Sequence, residues 1–251
     1  MRSAVRFHGR RIFGVLVVIG VLAFAAWKLE SEIRDRNTRK LVGAAVDALQ
    51  NSRGEVVAYS LRDLAGFPEP MVRSELQRRS AGSDGQRLLA LKYAQAALGD
   101  VDQGLLVSQI DDVRANECGN IVAALAADTN GSLAVISDAF SNAETEQDLR
   151  LMARLAIVAM ALGETKHAVS MTSEMAQVHP IERATFINEL ATWHAEPARL
   201  AELVRQSDDG RFTSAVFLGF GNIAVDLFRE SDLDEWEALL KQGFRVDPDS
   251  G

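Results

Sequence analysis

From Leu29 onward, apolar residues recur three and four positions apart, and no two-residue alternation of useful length appears. A period near 3.6 gathers apolar positions on one face of a helix, whereas a half-buried strand would show a period of two, so the pattern predicts an all-α fold. Residues 28–50 read as a charged helix with an apolar stripe of Ile33, Leu41, Val42, Val46 and Leu49, ending near Ser52-Arg53-Gly54. Residues 56–65 read as a short helix stopped by Gly66-Phe67-Pro68-Glu69-Pro70. Beyond it the spacing predicts helices over 70–79, 86–98, 103–114, 120–127, 133–140, 146–162, 166–177, 182–193, 197–206, 212–228 and 233–244. Ser83 followed by Gln86 has the form of a capping box, and Gly99, Gly163 and Gly243 stand where helices end. On this reading Leu89, Leu91, Ala94, Ile157, Val158, Val216 and Leu218 are core residues, and Leu91→Asp would cost several kcal/mol through an unpaired buried charge.

Part of the pattern repeats. Glu69-Pro70-Met71-Val72-Arg73-Ser74-Glu75-Leu76-Gln77-Arg78 is echoed by Glu196-Pro197-Ala198-Arg199-Leu200-Ala201-Glu202-Leu203-Val204-Arg205, identical at five of ten positions. Each copy continues through a polar turn, Ser83-Asp84-Gly85-Gln86-Arg87 or Ser207-Asp208-Asp209-Gly210-Arg211, into an apolar helix, and a looser third copy runs from Arg154 to Gly163. Pro70 and Pro197 start helices because the first helical position has no hydrogen bond to lose. A pair whose second helix is apolar nearly all round cannot bury it alone, whereas stacked pairs share a continuous core, so the repeat predicts an α-solenoid of helix pairs over residues 55–251.

The N-terminal end follows a different rule. Arg2, Arg6, Arg10 and Arg11 precede residues 12–27, sixteen uncharged and mostly apolar residues closed by Lys28. This segment reads as a transmembrane anchor at the short limit, followed by a juxtamembrane helix over 28–54. The competing reading is a signal peptide cleaved after Ala23-Phe24-Ala25; the helix-prone Lys28-Leu29-Glu30-Ser31-Glu32 that continues it favours the uncleaved anchor. The arginines place residues 1–11 in the cytoplasm and residues 28–251 outside it, as a single-pass protein of the cytoplasmic membrane.

Composition narrows the chemistry. The 251 residues include 47% hydrophobic and 25% charged ones, which excludes disorder as the main state. Residues 28–251 hold 23 Lys and Arg against 35 Asp and Glu, a net charge of −12 that disfavours nucleic acid and anionic lipid. Cys118 is the only cysteine, so there is no disulfide framework and no Cys-rich zinc module. Gly219-Phe220-Gly221 lacks the preceding strand and the Lys-Ser/Thr pair of a phosphate loop and reads as tight helix packing. Ser207-Asp208-Asp209-Gly210 and Asp247-Pro248-Asp249-Ser250-Gly251 lack the spaced ligands of a calcium loop and read as capping turns. His179 and His194 flank one predicted helix without forming a ligand pair. Cys118 beside Glu117 is disfavoured as a thiolate, Trp193 and Trp236 read as core, and Asn130-Gly131-Ser132 is only formally a glycosylation acceptor. No nucleophile, base and orienting group can be assembled, so no catalytic, cofactor-binding or metal-binding residue is assigned.

The order of features resembles a region of bacterial receptor-like serine/threonine kinases that also carry a formylglycine-generating-enzyme-like (sulfatase-modifying-factor) domain. The similar residues are the apolar run 12–27, Leu41-Val42-Gly43-Ala44-Ala45-Val46-Asp47-Ala48-Leu49, Phe67-Pro68-Glu69-Pro70-Met71-Val72, Arg87-Leu88-Leu89-Ala90-Leu91 and Gln206-Ser207-Asp208-Asp209-Gly210-Arg211-Phe212. In that family a transmembrane helix leads into HEAT-like helical repeats and then the formylglycine-generating-like domain. The kinase glycine-rich loop, the His-Arg-Asp loop and Asp-Phe-Gly are absent from this sequence. The resemblance therefore implies an accessory, non-catalytic, extracytoplasmic helical region of HEAT-like pairs. Solenoids expose extended grooves and an acidic one favours basic partner surfaces, so the leading expectation is a domain that binds another protein in sensing or scaffolding. Its alternatives are a fragment of a longer receptor kinase, since the related arrangement would begin another domain at Gly251, or an extracytoplasmic enzyme with an unrecognised site.

Overall fold

The computed structural model describes residues 2–54, 56–172 and 180–243, with the backbone alone for 2–21, 23, 242 and 243. The described residues are helical almost throughout and contain no strand. In chain order the helices are α1 (Arg2–Gln50), α2 (Val56–Ala65), α3 (Glu69–Ser80), α4 (Gly85–Ala97), α5 (Gln103–Ser108), α6 (Cys118–Leu125), α7 (Thr129–Glu146), α8 (Leu149–Leu162), α9 (Lys166–Thr172), α10 (Pro180–Glu189), α11 (Pro197–Gln206), α12 (Gly210–Gly219) and α13 (Glu230–Gly243). Single 3-10 turns link several of them.

The helices stack on near neighbours in the chain: α7 on α8, α8 on α9 and α10, α10 on α12. Alternate helices run parallel. Asp47 of α1 pairs with Arg79 of α3, and about one turn further along both segments Gln50 Nε2 donates to Ser83 Oγ, just past the end of α3. Arg183 of α10 donates to Ser214 of α12, and Gly219 at the end of α12 sits against Ile187 and Leu190. Such short-range, up-and-down packing is solenoid-like. Its centre is α8, where nine consecutive residues from Met152 to Met160 are buried. Leu89, Leu91, Ala94, Ile157, Val158 and Val216 are buried as expected, and so are Trp193 and Trp236. Leu218 is not: it is 56% exposed, because α12 turns Val216 and Gly219 toward its neighbours and Leu218 away.

The two copies of the repeat do become equivalent elements, α3 before α4 and α11 before α12, each with Pro in its first turn. Their buried faces differ. Val72 and Leu76 are buried in α3, but Leu200, Ala201, Leu203 and Val204 in α11, so only Leu76 and Leu203 occupy matching buried positions. The identities mark helix starts and charged positions more than core.

Several expected boundaries move for local reasons. The helix expected over 103–114 stops at Ser108, because the Ile110, Asp111 and Val113 carbonyls turn to accept from the Arg154 side chain. The helix expected over 133–140 starts earlier, at Thr129: Asp128 caps it by accepting from Gly131 N–H, and a side chain at 131 would collide with that carboxylate at 2.4 Å. Ser83 makes no capping box with Gln86; its hydroxyl donates to the Arg79 carbonyl instead. Gly99 and Gly163 do end helices with positive φ, 83° and 104°. The stretch expected as one helix over 212–228 breaks after Gly219 into two single turns, around which Phe220 packs against Phe228 and Trp236.

The expected membrane anchor is overturned. Residues 12–27 belong to α1, which runs unbroken to Gln50, and among the described residues no helix is long and apolar enough to cross a membrane. At about 1.5 Å per residue the sixteen-residue run between Arg11 and Lys28 covers about 24 Å, short of the ~30 Å hydrocarbon core of a bilayer. The single-pass arrangement with residues 28–251 outside the cytoplasm is therefore set aside. Apart from Thr38, the side chains described from Leu22 to Leu41 are exposed, and α1 joins the core only at Val42, Val46 and Leu49.

Candidate interaction surface

A charged residue inside an apolar helix is expensive unless every donor is used, and Arg154 uses them well. Only 8% of its side chain is exposed. Nε donates to Glu189 Oε2 of α10 at 2.8 Å, while Nη1 donates to the carbonyls of Ile110, Asp111 and Val113 at 3.1, 2.6 and 3.1 Å. Arg150, one turn earlier, lies 3.6 Å from Asp111 and 3.8 Å from Glu189. The guanidinium thus ties the segment after α5 and the end of α10 to the central helix. Its ligands are all protein groups, so this is a staple of the fold. Sequence reasoning passed over Arg154 as a repeat position; the available signal was a cation amid Leu151, Met152, Leu155 and Ile157.

A second polar node lies where α1, α2, α4 and α6 meet. Ser52, Gly54, Tyr93, Glu117 and Asn120 line a cavity of about 20 Å³, room for one water-sized group and too small for a metabolite. Asn120 donates to the Gly54 carbonyl at 2.9 Å. Burial, with Glu117 and Cys118 nearby, raises the Tyr93 phenol above its ordinary value. Burial likewise pushes the Cys118 thiol up to about 11, outweighing the opposing charge of Arg154, so the cysteine is the inert packed residue its neighbour Glu117 suggested.

The other singled-out residues take structural places. Gly219 packs tightly as expected, a Cβ there falling 2.3 Å from Leu190 Cδ1, whereas Gly221 has open space around it. Asp209 caps α12, its Oδ1 accepting from the Arg211 and Phe212 N–H groups at 2.9 Å. Ser132 is buried, its hydroxyl donating to the Leu125 carbonyl. His194 lines a notch of about 190 Å³ with Glu196, Arg229 and Asp232, and its Nδ1 lies 3.1 Å from the Thr192 carbonyl oxygen. His179 and residues 247–251 lie outside the described residues. Among the described residues no group of three His, Cys, Asp or Glu could hold a metal ion.

What remains is surface, and α13 presents the most distinctive part. Trp236 and Leu239 are buried beneath it, and Glu235 pairs with Arg205 of α11 to fasten it down. The opposite face carries Glu230, Leu233, Asp234, Glu237 and Lys241, all exposed and spaced as one helical stripe. Glu230 and Asp232 suit the positive end of the helix dipole, and Asp232 Oδ2 accepts from the Arg229 N–H at 2.9 Å. Leu233 is 47% exposed there and Val225, just before the helix, 79%. The result is an acidic edge with apolar contacts set into it. No protein-family model, curated protein or solved structure matches the chain.

Proposed function

We propose that this chain is a non-catalytic helical-repeat scaffold, built of HEAT-like pairs as in the kinase-associated region it resembles, that binds the basic surface of another protein. The observation that carries the reading is the outer face of α13, where Glu230, Asp234 and Glu237 surround the exposed Leu233 on a body of net charge −12 over residues 28–251. An apolar contact rimmed mainly by carboxylates, with Lys241 pairing Glu237 at the far end, suits a partner that offers an apolar pocket within a basic rim, because complementary potentials steer encounter and exclude wrong partners. The parallel alternate helices support the repeat reading, since stacked pairs expose extended faces of this kind.

The test combines E230K, D234K and E237K in one variant and compares it with the unaltered chain in cross-linking from cells, followed by salt titration of the purified complex. A partner that cross-links to the unaltered chain, is lost with the triple variant and is released between about 0.1 and 1 M salt fits the reading, because the screening length falls from about 10 to about 3 Å over that range. A partner held equally by both proteins at 1 M salt would contradict it. Kinase, formylglycine-generating and hydrolase assays of the purified protein are expected to show no turnover.

A further inference from the structure

The exposed part of α1 carries a seam that the body of the protein does not use. Leu22, Leu29 and Ile33 are 63%, 60% and 52% exposed, and with the exposed Ala26 they fall at alternating four- and three-residue steps. In the sequence the same steps continue upstream through Ile19 and Val15 to Ile12, three heptads without a charged seam residue. The a positions are Ile12, Ile19, Ala26 and Ile33; the d positions are Val15, Leu22 and Leu29. β-Branched residues at a with Leu at d favour a parallel two-stranded coiled coil.

We propose that α1 pairs in parallel with α1 of a second copy of this chain along the seam from Ile12 to Ile33. The charges of the arm respect that pairing. Lys28, Glu30, Ser31 and Glu32 all fall outside the a and d positions, and Glu30 is paired within its own helix to Arg34 at 2.8 Å. In a parallel pair the flanking g and e positions bring Ala25 near Glu30 and Glu32 near Asn37, so no like charges meet. The next two seam positions are Arg36 and Lys40, which would face their own copies as like charges. They end the pairing just before Val42, where α1 enters the core. Phe24 and Trp27, with ring centroids 6.0 Å apart, lie on the side away from the seam and take no part. This association is apolar and independent of the acidic-face reading, so salt separates the two: it should persist at 1 M, where charge contacts fail.

The experiment uses the full chain. Sedimentation equilibrium at 1 M salt should give twice the 27.3 kDa of one chain. L29D with I33D should weaken dimerisation at least tenfold while leaving the thermal midpoint unchanged. Under mild oxidation L29C should form a disulfide-linked dimer, because a parallel in-register pair sets each d position against itself, and S31C, on the outer side, should not; the buried Cys118 stays silent. A monomer at 1 M salt, equal cross-linking of L29C and S31C, or a chain that sediments with phosphatidylcholine vesicles in place of dimerising would each overturn the proposal.

Discussion

The middle of α8 and the apolar stretch of α1 pose the same physical demand and receive opposite answers. Both carry long apolar stretches, and apolar surface in water calls for cover. In α8 the cover is internal: α6, α7, α9, α10 and α11 all pack against it, and Met152 to Met160 are buried without a gap. In α1 the side chains described before Val42 have no such neighbours, and Leu22, Phe24 and Trp27 are each more than 60% exposed. Apolar composition therefore states that a helix must be covered but not by what. Short connections decide it for α8, whose chain neighbours fold back onto it within a few residues, whereas none of the side chains described in α1 before Val42 is buried.

The largest expected effect sharpens this contrast directly. Leu155→Asp places a charge where 0% of the side chain is exposed and should unfold the body, losing more than about 4 kcal/mol in chemical denaturation. Leu29→Asp, the same chemistry on the arm, should change the unfolding free energy by less than about 0.5 kcal/mol. Equal losses would mean that α1 before Val42 is part of the folded body.

Arg154→Met comes next. It leaves Glu189 and the Ile110, Asp111 and Val113 carbonyls without their donor, at a cost of about 3 to 5 kcal/mol, and Arg154→Lys should recover little because an ammonium cannot span the same fork of acceptors. Hydrogen exchange after α5 should speed up in both. A loss below about 1 kcal/mol would show that the turn after α5 holds without the staple.

A smaller effect comes from His167, buried against Phe140 with ring centroids 4.3 Å apart. Burial lowers its pKa below 6.5, against the opposing pull of Glu164. The native state then binds fewer protons than the unfolded one in the window below pH 6.5, so stability is fully present above that pH and falls as pH drops through it. His167→Gln should flatten the dependence between pH 6.5 and 5; an unchanged slope would assign it elsewhere. The smallest effect belongs to Leu218→Ser, within about 0.5 kcal/mol, because that leucine faces solvent.

Much of the body was legible in the sequence. Residues 56–65 and 197–206 form helices with the expected bounds, because a Gly-Phe-Pro-Glu-Pro stop and a Pro at the first turn are local signals. Leu218 was misread because period alone cannot say where a buried face ends, and α12 stops one residue later, at Gly219. The segment from Gln109 to Arg114 was misread as helix because what breaks it is Arg154, some forty residues away. The apolar run of α1 was legible as a demand for cover, and its uncharged composition behind four arginines argued for a bilayer that about 24 Å of helix does not span. The acidic face of α13 was visible only as overall charge, since its gathering around Leu233 depends on which side Trp236 and Leu239 bury.

The contrast between the two apolar helices is tested most directly by hydrogen–deuterium exchange of the full chain at protein concentrations from about 0.1 to about 100 μM. Amides of Met152 to Met160 should be protected equally at every concentration, because their cover comes from the same chain, while amides between Leu22 and Ile33 should gain protection as concentration rises. Protection of the arm that does not change with concentration, whether present or absent throughout, would contradict the account.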